Sequence, residues 1–317
     1  SALMSLKCAV NNLPLGGGKG IIIADPKPLT RFERDYLFHE LGKAWGTQGC
    51  DCPAPDVNTN GADMTAFAYA SGPEWVTGKP VGKGGLRLRE FSTGWGTAWH
   101  AIWQLDKNKT YMRYPTAIVE GFGNCGQYAA QMLHANGIRI IGTSDTSGVL
   151  TSTKGLRIPE LVAFKQAGYK LSEWPLNGET FHKAYGWAAR VMLYSQKADV
   201  WAPCALENSI TKNLIEAVPW MPQVISEGAN GPCTPEAMDL CDKFDVTIVP
   251  GIIANAGGVI VSYYEMLLAR GKYTDHLLAN TAELKNAMLA VHEDVKAWAT
   301  ERNIPFRKAA MEVACRK

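Results

Sequence analysis

The sequence predicts an α/β protein, with a doubly wound parallel sheet and a second, smaller α/β domain. Three observations predict it. Short apolar runs alternate with helical segments from about residue 115 to residue 249, the pattern of parallel strands joined by helices. Ile21-Ile22-Ile23 is a continuous β-branched run, as in a strand buried on both faces. Finally, one apolar run ends in Gly121-Phe122-Gly123-Asn124-Cys125-Gly126, where a helix opens.

In chain order, residues 5–11 and 20–24 read as strands flanking the turn Gly16-Gly17-Gly18-Lys19-Gly20. Asp25-Pro26-Lys27-Pro28 stops the second. Thr30 caps a helix to about Trp45, with Phe32, Tyr36, Leu37 and Leu41 on one stripe. Residues 52–60 carry too much proline and asparagine to be anything but a shaped loop, and a helix follows at about 61–71. A glycine-rich connector spans Gly78 to Gly96, and an apolar helix runs from Thr97 to about Asp106. Then come strand 115–120, helix 125–136 and strand 138–143. Further strands are predicted at 199–202, 223–226 and 246–249, and helix from about Val259 to the end, with Trp298 and Ala299 on its apolar side. The smaller domain comprises residues 1–92 completed by helices 263–317, and the sheet domain residues 93–262.

Composition narrows the function. Hydrophobic residues make up 46% and charged residues 20%, and the net charge of +2 supplies no field for nucleic acid. No apolar run is read as long enough to cross a bilayer, and Ser1-Ala2-Leu3-Met4 does not read as a secretory signal. The eight cysteines are scattered, and Cys50 and Cys52 match neither a redox pair nor a zinc knuckle. Reduced thiols in a cytoplasmic protein (or one of an organelle matrix) are expected, with no metal.

The glycine motif carries the first chemistry. After a strand and before a helix, G-x-G-x-x-G is the Rossmann-like fingerprint of a dinucleotide site. Gly121 permits the tight turn, and Gly123 admits a pyrophosphate to the amides of Asn124 and Cys125. Gly126 lets helix and strand pack closely. Asp145, about 20 residues on, stands where a carboxylate reads a ribose hydroxyl. With Ser144 beside it, NAD and NADP both remain open as cofactors. Loops after two later strands carry Ala205, Asn208 and Asn230, at the strand ends where such sheets bind ligands. Asn208 and Asn230 are candidates for the nicotinamide and its ribose, or turn asparagines. Asn255, in Ile253-Ala254-Asn255-Ala256-Gly257-Gly258-Val259, sits in another close-approach loop.

Lys19, between glycines, has little side-chain bulk around it to keep a substrate away, and a desolvated ammonium can act as an acid or base. Asp56 is a carboxylate that would complete an acid–base pair with it. The two are 37 residues apart, and spacing does not show that they meet.

Together these segments resemble the glutamate dehydrogenase family of amino-acid dehydrogenases. The likeness covers essentially the whole chain. It runs in order through Leu6-Lys7-Cys8-Ala9, Gly16 to Gly20, Pro53-Ala54-Pro55-Asp56-Val57-Asn58-Thr59 and Arg89-Glu90-Phe91-Ser92-Thr93-Gly94. It continues through Gly121 to Gly126, Ser144-Asp145, Ala205 to Asn208, Glu227 to Pro232 and Asn255 to Gly258. The resemblance implies oxidative deamination: hydride passes from the amino acid's α-carbon to nicotinamide, water adds to the imine, and ammonia leaves a 2-oxo acid. It implies that Lys19 activates the water, Asp56 moves protons at the amino group, and Lys7 pairs with the α-carboxylate. Thr93 would line the cleft, and Ser262, with Val259 beside it, would meet the side-chain carboxylate of glutamate. Glutamate, 2-oxoglutarate and ammonium are the implied small-molecule partners, in a homo-oligomer.

Three departures stand out. Family members carry roughly a hundred further residues upstream, a part that supplies a second substrate lysine and oligomer contacts, so a hexamer is expected only with it. Ile21 replaces a usual glycine, a feature shared with enzymes for hydrophobic amino acids. Gly251 replaces a usual aspartate. A dehydrogenase of a branched or aromatic amino acid, or a silent dinucleotide-binding homologue, are the alternatives.

Overall fold

The computed structural model describes residues 1–46, 52–56, 58–105, 114–272 and 281–317. Cys50, Val57, Asp106 and the segment 273–280, which the sequence reading touched, lie outside the described residues.

A seven-stranded sheet organises the chain. Its strands are β1 (Thr116–Glu120), β2 (Arg139–Asp145), β3 (Gly148–Thr151), β4 (Thr180–His182), β5 (Val200–Pro203), β6 (Val224–Ser226) and β7 (Thr247–Val249). Their order is β4-β3-β2-β1-β5-β6-β7. β2, β1, β5, β6 and β7 are parallel. The edge pairs β2–β3 and β3–β4 are antiparallel, an addition the sequence reading lacked. Val119 lies opposite Thr143 on one side and Ala202 on the other.

Alternate residues face opposite sides of this sheet, as the pleat requires. Ala117, Val119, Val200, Ala202, Val224 and Val249 belong to one buried cluster; Ile118, Trp201, Ile225 and Ile248 belong to a second. Both faces are therefore covered, which explains the unbroken apolar runs. The covering helices include α4 (Leu88–Gln104), α5 (Asn124–Ala135), α6 (Ile158–Gln166), α7 (Gly186–Tyr194), α8 (Lys212–Ala217) and α9 (Pro235–Lys243). After β7 come α10 (Gly251–Ala254), α11 (Gly257–Ala269), α12 (Thr281–Arg302) and α13 (Phe306–Arg316). Trp298 and Ala299 pack partly buried against the first cluster, as expected. Gly251–Ala269 is apolar enough by composition to span a membrane, with a mean hydropathy of 1.4, contrary to the sequence reading. It is 67% buried in the fold and packs on α4, as a core segment does.

The N-terminal region departs most from expectation. Residues 2–10, read in part as a strand, form helix α1 (Ala2–Val10), which packs on α10 and α13. Residues 20–24 form no strand; Ile21 is 89% and Ile23 98% exposed, and no strand among the described residues lies beside them. A β-branched run signals a strand only where neighbours pair with it. Helices α2 (Arg31–Gly46) and α3 (Gly61–Ser71) match the reading in extent. The buried side chain of α2 is Phe38, however, whereas Phe32 and Tyr36 are exposed. Phe38 meets Met64 and Phe67 of α3. The fully buried Asp63 fastens the pair, receiving Arg31 at 2.9 Å and Arg34 at 3.2 Å and capping α3 with Asn60.

Helix α4 begins at Leu88, nine residues before the predicted Thr97. Gly94 and Gly96 suggested a loop, but both serve close packing inside the helix. A Cβ at Gly94 would crowd Ala129 at 2.7 Å, and one at Gly96 would crowd Ala254 O at 2.8 Å.

Candidate active site

The glycine loop has the form its motif demands. Gly121 has φ +83°, a conformation that favours glycine, and its amide donates to Ser144 Oγ at 3.2 Å. A Cβ at Gly126 would collide with Gly121 O. A Cβ at Gly123 would meet nothing within 4 Å, so open space lies over the N-terminus of α5. Asn124 and Cys125 are the first residues of that helix, whose leading amides have no partner in the helix and favour an anion. The Asn124 side chain donates to Glu90 O at 2.9 Å, tying this end to α4. Open space over a glycine beside a helix N-terminus fits a dinucleotide pyrophosphate.

Asp145 ends β2 as expected, yet its carboxylate is spoken for. Lys165 donates to it at 2.6 Å, the Ser147 amide at 2.8 Å and the Leu171 amide at 3.0 Å. Burial raises its pKa, but Lys165 and Ser147 outweigh that and hold it below the ordinary carboxylate value. Lys165 had no signal in the sequence, because it approaches from α6, 20 residues away.

Beyond the strand ends, Ala205 packs over Gly121, where a Cβ would approach Ala205 Cβ at 2.8 Å. Asn208 adopts φ +52° and its amide donates to Gly231 O at 2.9 Å, so its backbone shapes a turn while the residue stays exposed. Asn230 and Asn255 meet one another and Lys7. The buried Lys7 ammonium donates to Asn230 Oδ1 at 2.8 Å and Asn255 Oδ1 at 2.5 Å. Asn255 Nδ2 donates to Ala229 O at 3.0 Å. Gly251 leaves room for this arrangement, since a Cβ there would approach Asn255 Nδ2 at 2.9 Å. Burial, and then the Lys19 charge, push the Lys7 pKa down to about 8.

Lys19 and Asp56, which spacing alone did not join, form an ion pair. Both are partly exposed and both act electrostatically on Lys7, so the three charges share one region. The loop carrying Asp56 is set from below: Thr77 N donates to Pro53 O at 3.0 Å, and Thr59 Oγ1 accepts from Asp56 N at 2.7 Å. Residues 77–79 are held in turn by fully buried Glu265, which accepts from Gly78 N at 3.0 Å and pairs with Lys79 at 3.0 Å. The Ile21 side chain is exposed, and a Cβ at the preceding Gly20 would meet the Trp45 ring at 2.8 Å.

Thr93, Ser262 and Arg89 come together beside Gly258. A Cβ there would approach Thr93 Oγ1 at 2.6 Å and Arg89 Nη1 at 3.1 Å, and Arg89 Nε donates to Ser262 Oγ at 3.1 Å. Val259 turns into the apolar cluster of Leu88, Trp99 and Ile260. Burial lowers the Arg89 pKa while Glu265 and Asp56 oppose it, yet a guanidinium stays charged. Sequence reasoning passed over Arg89. Its place one helical turn before Thr93 on α4 was the available signal, hidden while 88–96 read as a connector.

Comparison with known proteins places the chain in a family. The family model of the Glutamate/Leucine/Phenylalanine/Valine dehydrogenases matches residues 84–317, and that of their dimerisation domain matches residues 1–71. A glutamate dehydrogenase of Thermotoga maritima is 35% identical over 324 residues, covering 98% of this chain and 75% of that protein. An NADP-specific glutamate dehydrogenase of Halobacterium salinarum is 32% identical, covering 93% and 72%. A catabolic NAD-specific one of Bacillus subtilis is 31% identical, covering 100% and 74%. Among solved structures, Plasmodium falciparum glutamate dehydrogenase superimposes with a TM-score of 0.87 at 22% identity, covering 98% of this chain and 70% of that one. A hetero-hexameric glutamate dehydrogenase of Thermus thermophilus gives 0.84 at 23%, covering 99% and 74%, a likeness of fold. The chain belongs to the Glu/Leu/Phe/Val dehydrogenase family.

Proposed function

We propose that the chain catalyses the reversible oxidative deamination of L-glutamate to 2-oxoglutarate and ammonia, with NAD or NADP. The observation that carries the reading is the Lys19–Asp56 ion pair beside buried Lys7, in a chain with a family-type glycine loop. A bound nicotinamide supplies the hydride acceptor. Lys7 holds the α-carboxylate, with Asn230 and Asn255 fixing its ammonium by hydrogen bonds. Asp56 takes a proton from the amino group, and Lys19 holds and activates the water that attacks the imine carbon. Their contact gives a proton a direct route between the two groups. Arg89, with Ser262, presents the donor pair for the side-chain carboxylate, which favours glutamate over apolar amino acids.

Ser144, Asp145, Ala205 and Asn208 frame the cofactor on this reading. The cofactor choice stays between NAD and NADP, since Lys165 already neutralises Asp145. A homo-oligomer accompanies the reading, to be tested by light scattering of the purified chain. So does a cytoplasmic or organelle-matrix location, to be tested by fractionation.

The direct test mixes the full chain with 2-oxoglutarate, ammonium and either NADH or NADPH and follows nicotinamide oxidation. Turnover with 2-oxoglutarate well above that with a branched-chain 2-oxo acid supports the proposal. A preference for the branched acid would move the function to another amino acid. Cofactor binding without turnover on any oxo acid would favour a silent homologue.

A further inference from the structure

Two cysteines that the deamination chemistry does not use meet beneath the glycine loop. Cys125 is the second residue of α5, and Cys204 follows β5 directly. Their sulfurs share the space beside Gly228: a Cβ at that position would run into Cys204 Sγ and lie 3.1 Å from Cys125 Sγ. The glycine is thus what allows both thiols to sit there. The Cys125 thiol also reaches Gly228 O at 3.7 Å. The two backbones are already locked together, because Cys204 N donates to Glu120 O at 2.8 Å and Ala205 packs against Gly121. Both residues are of intermediate exposure, so neither is sealed within the core.

We propose that Cys125 and Cys204 form a redox-active dithiol that a peroxide-class oxidant converts to a disulfide beneath the glycine loop.

The two sulfurs differ in a way that assigns their roles. The Cys125 thiol is held below its ordinary value, first by a hydrogen bond from Cys204, with Thr97 and Lys7 helping against burial. Its place in the first turn of a helix acts in the same sense. Cys204 is pushed up, first by that same hydrogen bond and then by burial. Cys125 is therefore the attacking thiolate. It forms an S–O bond with hydrogen peroxide as the O–O bond breaks, leaving a sulfenic acid and hydroxide. Cys204 sulfur then attacks the Cys125 sulfur; the S–S bond forms, the S–O bond breaks, and the departing hydroxide takes the Cys204 proton as water. The sulfurs lose two electrons, the peroxide gains them, and a thiol reductant reverses the change.

The consequence for the cofactor rests on reading the glycine loop as the pyrophosphate site. A disulfide would draw Cys125, and with it the first turn of α5, toward the β5 loop. Dinucleotide affinity is expected to fall about tenfold.

The test exposes the full reduced chain to hydrogen peroxide, blocks the remaining thiols and maps the peptides by mass spectrometry. The expected result is a peptide linking Cys125 to Cys204, the loss of two of the eight thiols, and their return with dithiothreitol. Cys204→Ala should form no link and should instead carry Cys125 on to the sulfinic acid. Both thiols remaining open to alkylation, or links confined to other cysteines, would overturn the proposal. NADH titration of the reduced and oxidised chain reads the consequence separately. If the reduced chain fails to bind NADH, the cofactor reading fails, while the mass measurement still decides the dithiol.

Discussion

The glycine loop at residues 121–126 and the lysine loop at residues 16–20 are similar in composition, and the molecule holds them by opposite means. The first hangs from β1, whose five residues are all buried, and leads straight into α5. Its backbone is pinned by β2, with Phe122 N donating to Ser144 O at 2.7 Å. The second has no regular structure of its own. It is tied to α1 by Gly17 N donating to Ser5 Oγ at 3.0 Å, and its lysine is oriented by one carboxylate from a separate loop. A motif set on a buried sheet is positioned by the whole core, whereas one on irregular chain depends on a few local contacts. On the proposed function, cofactor binding falls to the element held by the core and proton transfer to the one held by a few local contacts.

The largest effect should come from breaking the pliable side. Asp56→Asn should lower turnover by about two to four decades while NADH binding stays within a small factor. Steady-state rates and fluorescence titration would check this, and equal losses in both would erase the contrast. Next, Asp63→Asn should cost about 3 kcal/mol in the α2–α3 pair, because it strips a buried ion pair of its anion. Denaturant unfolding measures that loss. Burial raises the Asp63 pKa, but Arg34 and the Asn60 amide outweigh it, so the folded value lies below the unfolded one. Its contribution is therefore present above the unfolded carboxylate pKa and lost as pH falls through the lower folded value. Thermal melts at descending pH should show the mutant losing less than the parent.

On the rigid side, Gly126→Ala should cost about 1–3 kcal/mol, since its Cβ meets backbone that cannot move aside. NADH affinity should fall with it, and unchanged binding would contradict the tight helix–strand seat. A smaller effect concerns Lys7. With its pKa near 8, its charge fades as pH rises through that value, so 2-oxoglutarate KM should climb above about pH 8. Lys7→Arg should move that limb to higher pH, as a pH series of KM would reveal. The smallest change is Lys165→Ala. It removes the cation that neutralises the Asp145 carboxylate and should shift preference toward NADH by less than about tenfold, measured by paired NADH and NADPH titrations.

The same contrast explains what was legible. The parallel strands, α5 and the three motif glycines could be read because each follows from a local rule: unbroken apolar runs and a strand-to-helix turn. The β3–β4 edge is not legible, although Asp145-Thr146-Ser147-Gly148 is a hairpin-type turn, because strands of four and three residues are too short to show an alternating pattern. The N-terminal strands failed for a physical reason. Ile21 to Ile23 have the right side chains for a strand, but pairing is a property of neighbours, which no local pattern contains. Gly94 and Gly96 look like breakers in the sequence, whereas each lets another helix approach closely. The candidate site residues were visible in the sequence as residues. Their partnerships were not, since Lys19 with Asp56, Lys7 with Asn255 and Arg89 with Ser262 join at separations of 37, 248 and 173 residues.

The most direct test of the central claim is Lys19→Ala, assayed for reductive amination of 2-oxoglutarate and, in the same preparation, for NADH and NADPH binding. The account predicts turnover reduced by at least about two decades with both cofactor affinities preserved. Retained turnover, or cofactor binding lost together with it, would contradict the assignment of proton chemistry to the lysine loop and of binding to the sheet.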